Sequence, residues 1–426
     1  MTIVIVLLLL AIALLGAPLF AVIAASAMIG FYREELDLSI MAIEFYRLAE
    51  MPILLAIPLF TFAGYLLSES RAPTRLVRIT QALLGWMHGG LAIVALAACA
   101  LFTAFTGASG VTIIALGALL YPALMKAGYK ENFSLGLITT SGSLGLLFAP
   151  SLPLILYGII VQQLGIGLPL SIDELFLAGI LPGLLMLIVL SGWSIWSNRV
   201  QHTQAFDWGE TKAALREAAW EIPLPFIVLG GIYSGYFAVS EAAAVTVIYV
   251  LIVEVFIYRE IPLVQLPRVI RESMVLVGAI LVILGASLAS TNYVIDAQIP
   301  TQLFDFISAH ISDKYTFLIL LNIFLLFLGT MLDIFSALVL MVPLLLPVAI
   351  GYGIDPVHLG IIFLANMQIG YFTPPVGMNL FIASFRFNRP VSQLYRSTLP
   401  FFFLLFFCVL IITYWPSLSL WLPGRM

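Results

Sequence analysis

Charge is what this chain has least of. Charged side chains make up 9% of its 426 residues, against roughly 25% in soluble proteins, while 62% of the residues are hydrophobic. With a mean hydropathy of +1.13, that scarcity excludes the soluble globular class. No basic block is present and the net charge is −4, so nucleic acid is not an expected partner. The two cysteines, Cys99 and Cys408, both lie in apolar runs and can build neither a disulfide framework nor a metal site. A G-x-x-x-x-G-K-[ST] phosphate loop is also missing, which removes an ATPase on this chain.

What the chain does have is apolar sequence, in long stretches from Thr2 to Leu422. That pattern reads as an all-α polytopic membrane protein. The short alternation expected of an outer-membrane barrel is not there. The opening run MTIVIVLLLLAIALLGAP lacks the positive n-region of a signal peptide and stays apolar past Ala25. It reads as retained membrane sequence.

Two stretches interrupt this apolar sequence with Gly and Pro: GLLFAPSLPLI at 145–155 and GYFTPPVGMNL at 370–380. Pro150 and Pro375 stand 225 residues apart, as do Gly145 and Gly370, Pro122 and Pro347, and Gly128 and Gly353. The same offset carries the apolar spans 49–68 and 91–107 onto 274–293 and 316–332. Gly16-Ala17-Pro18 falls close to the polar interruption Ser240-Glu241. Internal similarity of this kind marks two halves of inverted topology in many transporters. The expected domains are a first inverted repeat at 1–210 and a second at 211–426, meeting in the polar stretch 199–220.

Positive charge orients the halves. Lys and Arg gather at Arg71, Arg75 and Arg78; Lys126 and Lys130; Arg199, Lys212 and Arg216; Arg259, Arg268 and Arg271; and Arg386, Arg389 and Arg396. These loops are expected in the cytoplasm. The loops at 162–174, 291–301 and 351–356 hold no Lys or Arg and are expected outside. Segment 91–124 then starts and ends inside, as a re-entrant hairpin with its tip at 106–110. Segment 133–161 crosses outward through a break at 145–153, and 175–197 returns. Spans at 222–239, 242–258 and 273–290 lead outward again. A second hairpin at 315–350, with its tip near 329–336, starts and ends outside. Segment 357–385 crosses inward through a break at 370–379, and 398–415 exits. Symmetry asks the run 2–32 to be two short spans hinged at 16–18, with both termini outside; one long tilted helix is the alternative.

Broken helices in lipid need a reason. Backbone groups cannot be left unpaired in hydrocarbon, so non-helical backbone at that depth occurs only inside protein or beside water. Pro150, Pro153, Pro374 and Pro375 each lack a donor and crowd the preceding turn. Such a break frees carbonyls that suit a cation such as Na⁺ and N–H groups that suit an anion. A simple Pro kink is the bland alternative, but two Pro-bearing breaks at the repeat offset favour a pair of ion sites. Neutral oxygens surround the first: Thr106, Ser109 and Thr112 at the hairpin tip, then Thr139, Thr140, Ser141 and Ser143. Any one of these hydroxyls could simply bond its own helix; the clustering carries the inference. In the second half the candidates are Asp333, Ser336, Asn366, Thr373 and Asn379. An intramembrane carboxylate such as Asp333 is a functional candidate, although Asp is also a preferred helix cap. Glu241 reads mainly as a cap for the helix beginning AAAVTVIYV.

The ordered strings AIPLFTFAGYLL (56–67), FTGASGVTIIALGALLYPALMKAGY (105–129), SGSLGLLFAPSLPLILYG (141–158), SEAAAVTVIYVLI (240–252), MVPLLLPVAIGYGIDPVHLGII (341–362) and IGYFTPPVGMNLFIAS (369–384) resemble one family over essentially the whole chain. It is the large permease subunit of tripartite ATP-independent periplasmic (TRAP) transporters, the DctM type. The resemblance implies a secondary transporter of the bacterial inner membrane that imports a carboxylate-bearing solute with Na⁺ as coupling ion. It implies an elevator-type fold in which the hairpins and broken helices move against a scaffold. As partners it implies a small four-span membrane subunit and a periplasmic substrate-binding protein. Carried over by position, Na⁺ sites fall at Gly107, Ser109, Gly142, Ser143 and Pro150, and at Asp333, Asn366, Thr373, Pro374 and Asn379. Substrate contacts are expected from Ser109, Thr112, Ser151, Thr373 and Asn379, since no Lys or Arg occurs in 131–198 or 315–385 to clamp a carboxylate. Two departures touch the first site: Ala149-Pro150 replaces the usual Pro-Pro, and Gly110 stands where a second hydroxyl is frequent.

Two other readings compete. A stand-alone Na⁺/dicarboxylate symporter of related elevator architecture would transport without partners. GASG at 107–110 also fits an intramembrane serine protease with Ser109 as nucleophile, which needs a positioned base. The four histidines, His88, His202, His310 and His358, are expected at membrane edges or in loops, where none can serve Ser109.

Overall fold

The computed structural model describes residues 8–9, 11–12, 15–87, 89–166, 170–198, 206–311 and 313–424. Among these, nine helical stretches are long and apolar enough to cross a membrane. Helix α1 (Leu19–Arg33) starts straight after Pro18, and Gly16 adopts a left-handed φ of +94°. The proposed hinge at 16–18 is therefore a real interruption, while most of the first short span lies outside the described residues. A short helix α2 (Ser39–Ala49) leads into α3 (Ala56–Glu69) and then α4 (Ala72–Leu84).

Two hairpins follow the expected plan. The first pairs α5 (Gly90–Thr106) with α6 (Ser109–Lys126), and the chain reverses because Gly107 takes φ +65°. Such a φ suits glycine, whose missing Cβ removes the steric cost. The second pairs α15 (Lys314–Met331) with α16 (Ile334–Gly351). Its tip is shaped by Asp333, whose Oδ1 accepts from the N–H groups of Phe335 and Ser336, each at 3.0 Å. The same turn is thus made by a left-handed glycine in one half and by an N-cap in the other.

Each hairpin precedes a broken helix. The first is α7 (Glu131–Ser141), a 3-10 turn (Leu144–Leu147) and α8 (Leu152–Leu164). The second is α17 (Pro356–Gly370) and α18 (Met378–Phe387). Both breaks begin close to the expected positions, at 142–151 and 371–377. Cis peptide bonds occur at Ala149-Pro150 and Pro374-Pro375. After the breaks come α9 (Ile172–Ser197), opened by a Ser171–Glu174 capping box, and α19 (Val391–Tyr414). A last short turn, α20 (Ser417–Leu420), closes the described chain.

The repeat is visible in the helix bounds. Adding 225 to Ser109 and Lys126, the ends of α6, gives Ile334 and Gly351, the ends of α16. Packing obeys the same exchange. Helix α6 packs on α18 and α16 on α8; α7 packs on α19 and α17 on α9. Each element therefore meets the partner that its counterpart meets in the other half. Glycines set how close these layers come. A Cβ on Gly370 would lie 2.5 Å from Gly329 of the second hairpin, and one on Gly145 would lie 2.6 Å from the backbone nitrogen of Ala104 in the first. Small residues at such crossings let backbones approach, which is how helices pack in lipid.

Several elements differ from the expected spans. The span expected at 222–239 is only α11 (Pro223–Tyr233), about 16 Å of helix and too short for a bilayer core of about 30 Å. Gly231, with the Phe237 ring folded over it, and Gly235 at φ +75° turn the chain back there. Next, α12 (Val239–Leu251) runs into a π-helical turn (Ile252–Ile257), and Glu241 accepts from Ala238 N at 2.9 Å, the capping role expected of it. The last of the three is longer than expected, as α13 (Leu266–Asp296), and α1 and α2 pack on it. The polar stretch 199–220 holds a helix of its own, α10 (Trp208–Glu217).

Two short helices lead into the hairpins: α4 before the first and α14 (Ile299–His310) before the second. Sequence reading passed over both, because they are too polar or too short to register as spans. Helix α4 is pinned by charge. Arg75, 4% exposed, reaches Glu221 at 2.6 Å, Glu260 at 2.5 Å and Glu254 at 3.3 Å, with the Tyr258 ring 4.1 Å away. Arg78 bonds Glu210 and Glu217 on α10, and its guanidinium holds the Glu210 carboxyl below the usual range. Helix α14 contains no Lys or Arg at all.

Candidate functional site

At the first hairpin tip the two halves share buried polar contacts. Ser109 begins α6, and its hydroxyl donates to Asn379 Oδ1 of α18 at 2.8 Å. Asn379 Nδ2 faces the Thr139 carbonyl of α7 at 3.4 Å. Beside this bridge, Thr103 and Thr112 meet hydroxyl to hydroxyl at 2.6 Å, and Thr103 also bonds the Gly142 carbonyl at 2.9 Å. Ser143 donates to the Gln368 carbonyl at 3.0 Å. All of these side chains are buried. Ser109, Thr112, Gly142, Ser143 and Asn379, expected from sequence, thus come together at one place, along with Gly107, whose missing Cβ makes room for Leu152.

The second tip is built differently. Asp333 Oδ2 accepts the Ser336 hydroxyl at 2.5 Å while its Oδ1 caps α16, so the capping alternative describes its bonds fully. The Ile334 N–H donates to the Tyr371 hydroxyl at 2.6 Å, and Gly377 N to the Thr330 carbonyl at 3.1 Å. These bonds tie the tip to the second break.

Other expected site residues are turned elsewhere. Ser151 bonds the Leu146 carbonyl at 2.6 Å and closes the first break upon itself. Thr373 bonds the Ile369 carbonyl at 2.7 Å. Pro150 is buried, whereas Pro374, Pro375 and Val376 are exposed, so the first break is sealed and the second has an open edge. Asn366 does not join the tip residues. Its amide points into α15 and α19, where it meets Asn322. The reason is distance along the helix: Asn366 lies seven residues, about two turns or roughly 10 Å, before Thr373, and α17 packs against α15.

Sequence reading missed Thr103, Gln368, Tyr371, Asn322 and Thr413. Asn322 had a usable signal, since it is the lone amide inside the apolar run LLNIFLL. Tyr371 lies in the second break itself, and Thr103, Gln368 and Thr413 sit among ordinary helix sequence. Several buried polar atoms have no hydrogen-bond partner among the described residues: Thr106 Oγ1, Gln368 Oε1, Asn366 Oδ1 and Asn322 Nδ2. Unmet oxygens of neutral side chains beside broken helices are the donor chemistry a weakly held Na⁺ needs. Among the described residues no group of three His, Cys, Asp or Glu converges.

A match over residues 3–418 is found with the family described as the tripartite ATP-independent periplasmic transporter, DctM component. The chain belongs to this family. The C4-dicarboxylate TRAP transporter large permease protein DctM of Pseudomonas aeruginosa is 35% identical over 387 residues, covering 90% of this chain and 89% of that protein. The ectoine/5-hydroxyectoine TRAP transporter large permease protein UehC of Ruegeria pomeroyi is 33% identical over 416 residues, covering 96% of this chain and 95% of its own. The solved structure of the YdaH transporter from Alcanivorax borkumensis covers 88% of this chain and 87% of its own, at a TM-score of 0.63 and 12% identity. That last likeness is one of fold.

Membership makes the chain a multi-pass permease component of a tripartite transporter, and not an enzyme. The protease reading of Ser109 falls with it. His358, expected at an edge, is 3% exposed near the start of α17 and bonds Ser419 and the Thr413 carbonyl. His310 is exposed at the end of α14, and His88 and His202 lie outside the described residues.

Proposed function

We propose that this permease imports a carboxylate-bearing solute down a Na⁺ gradient by an elevator movement, with a small membrane subunit as added scaffold and a periplasmic binding protein delivering the solute. The carrying observation is the buried Ser109–Asn379 bridge at 2.8 Å, set beside the unpartnered oxygen of Thr106. It joins neutral oxygens of the first hairpin tip and of the second helix break, which supports the reading. Gly107, Gly142, Ser143 and the Thr103–Thr112 pair would hold the cation in the first half, with Asn366 and the second break serving the other half. In the family's relatives the named solutes differ, a C4-dicarboxylate in one and ectoine in another. The pocket chemistry therefore has to accept anionic carboxylate without an Arg clamp. N–H groups at the starts of α8 and α18 and the hydroxyls of Ser109 and Thr112 can do that. Thr373, next to the open edge of the second break, would meet the solute first, and the buried Asn379 would follow behind it.

The moving body in this reading comprises both hairpins and both broken helices; α1, α2, α3, α12 and α13 remain as scaffold. The repeats divide near residue 210, and both termini face the periplasm. The test is uptake into proteoliposomes holding this chain, the small subunit and the solute-loaded binding protein. Uptake should need a Na⁺ gradient that K⁺ cannot replace, and should stop when either partner is left out. Uptake by this chain alone would instead favour a stand-alone symporter.

A further inference from the structure

Positive charge is matched on one part of the molecule and left over on another. Segments 69–78, 199–221 and 254–272 hold nine Lys or Arg against eight Asp or Glu. Their pairs are close: Arg75 meets three glutamates, Arg78 two, and Arg268 bonds Glu69. Segments 126–131 and 386–396 hold five Lys or Arg against one Glu. The positive-inside rule asks only that Lys and Arg lie on the cytoplasmic side, and both sets meet it. It does not ask that one set be neutralised and the other left bare.

Folding gathers the surplus from both halves. Helix α6 ends at Lys126 and packs on α18, while α7 starts at Glu131 and packs on α19. Gln393 of α19 bonds Asn132 of α7 at 3.1 Å, and the Tyr121 and Phe387 rings meet at 5.0 Å. Glu131, the single carboxylate, is already taken, by Arg389 Nε at 2.6 Å and by the Tyr121 hydroxyl at 3.2 Å. Arg386 donates its Nε to the Ile114 carbonyl at 3.1 Å. Lys126, Lys130 and Arg396 are exposed, and their side chains have no ion pair or hydrogen bond among the described residues. Apolar side chains share this rim: Phe385, next to Arg386, is 94% exposed, and Met125, next to Lys126, is 39% exposed.

Unmatched cations beside bare apolar side chains fit a partner that is anionic at one level and apolar at the next. A free anion would satisfy only the cations, and a neutral lipid only the apolar side chains. We propose that Lys126, Lys130 and Arg396, with Arg386 beside them, bind anionic phospholipid headgroups of the cytoplasmic leaflet, with Phe385 set into the boundary of headgroup and acyl chain. The cations come from both halves, so one lipid cluster clamps the base of the first hairpin to the end of the second broken helix. This site needs neither Na⁺ coupling nor an elevator movement.

The experiment reads the melting temperature of the purified complex in neutral detergent. It is titrated with short-chain phosphatidylglycerol, with phosphatidylcholine of the same chain length, and with inorganic phosphate. Phosphatidylglycerol should stabilise the intact protein, and added salt should weaken that effect. A cation near an anionic surface is worth about five-fold in affinity. Lys126→Gln, Lys130→Gln and Arg396→Gln combined should therefore raise the phosphatidylglycerol midpoint by about ten-fold or more. Lys126→Arg, Lys130→Arg and Arg396→Lys combined, which keep the charge, should hold it. Lys212→Gln, Arg216→Gln and Arg271→Gln combined, drawn from the matched set, should leave it within about two-fold. A midpoint unchanged in the first variant, or raised as much in the matched-set variant, overturns the site. Equal stabilisation by phosphate, as for a free anion, or by phosphatidylcholine, as for apolar contact alone, overturns it too.

Discussion

Ser143 and Gln368 are counterparts in the repeat, 225 positions apart, and they touch: the Ser143 hydroxyl donates to the Gln368 carbonyl at 3.0 Å. A residue that contacts its own counterpart sits where the two halves exchange, so the first break and the end of α17 meet at the centre of the molecule. Both residues are fully buried. Replacing Ser143 by Ala removes a bond between halves and leaves the buried Gln368 carbonyl, at the end of α17 where Phe372 N bonds Ile369 instead, without its donor. The expected loss is about 1–3 kcal/mol, the cost of an unpaired buried carbonyl, read as a fall in melting temperature with assembly of the tripartite complex preserved.

The Ser109–Asn379 bridge should behave as a coupled pair. Ser109→Ala and Asn379→Ala each remove the same hydrogen bond, so their effects on uptake will not add. A double-mutant cycle on initial uptake rates should give a coupling of roughly 1 kcal/mol, near five-fold in rate. Strict additivity would mean that the two side chains act apart.

Glycine spacing offers a sharper contrast. A Cβ on Gly370 would press on the Gly329 backbone at 2.5 Å, and neither helix can yield without parting. Gly370→Ala should destabilise by about 1–3 kcal/mol and abolish uptake. Gly278 of α13, where a Cβ would meet nothing within 4 Å, is the control. Gly278→Ala should raise stability by up to about 1 kcal/mol, as alanine does inside a helix.

The charges on α4 divide in the same way. Arg75 is 4% exposed and Glu254 fully buried beside it, so Arg75→Met strands carboxylates in low dielectric. A loss of about 3–5 kcal/mol is expected, with poor recovery of folded protein. Arg78, 41% exposed, also holds two glutamates, yet Arg78→Met should change the melting temperature little, since solvent screens that pair. Fluorescence-detected melting of the two variants side by side decides the point.

Much of this molecule was legible in its residues. Apolar run length announced the membrane helices, and Gly and Pro spacing located both breaks to within a few residues. Both features act through the local backbone, so they leave a trace in local sequence. The hydroxyl cluster at the first tip was legible for the same reason, because Ser109, Thr112 and Ser143 lie near the turns that gather them.

Contacts between distant helices left no such trace. Asn379 reaches Ser109 across 270 positions, and Asn366 turns toward Asn322 and Thr413 instead of its sequence neighbours at the break. Arg75 is buried only because Glu221, Glu254 and Glu260 converge on it from the other half. Sequence alone determined where the helices run, where they stop and that the plan is stated twice, since backbone hydrogen bonding in lipid is a local demand. Only tertiary structure decided which polar atoms are paired and which are left free, since that depends on helix rotation and on how closely glycines let the layers approach.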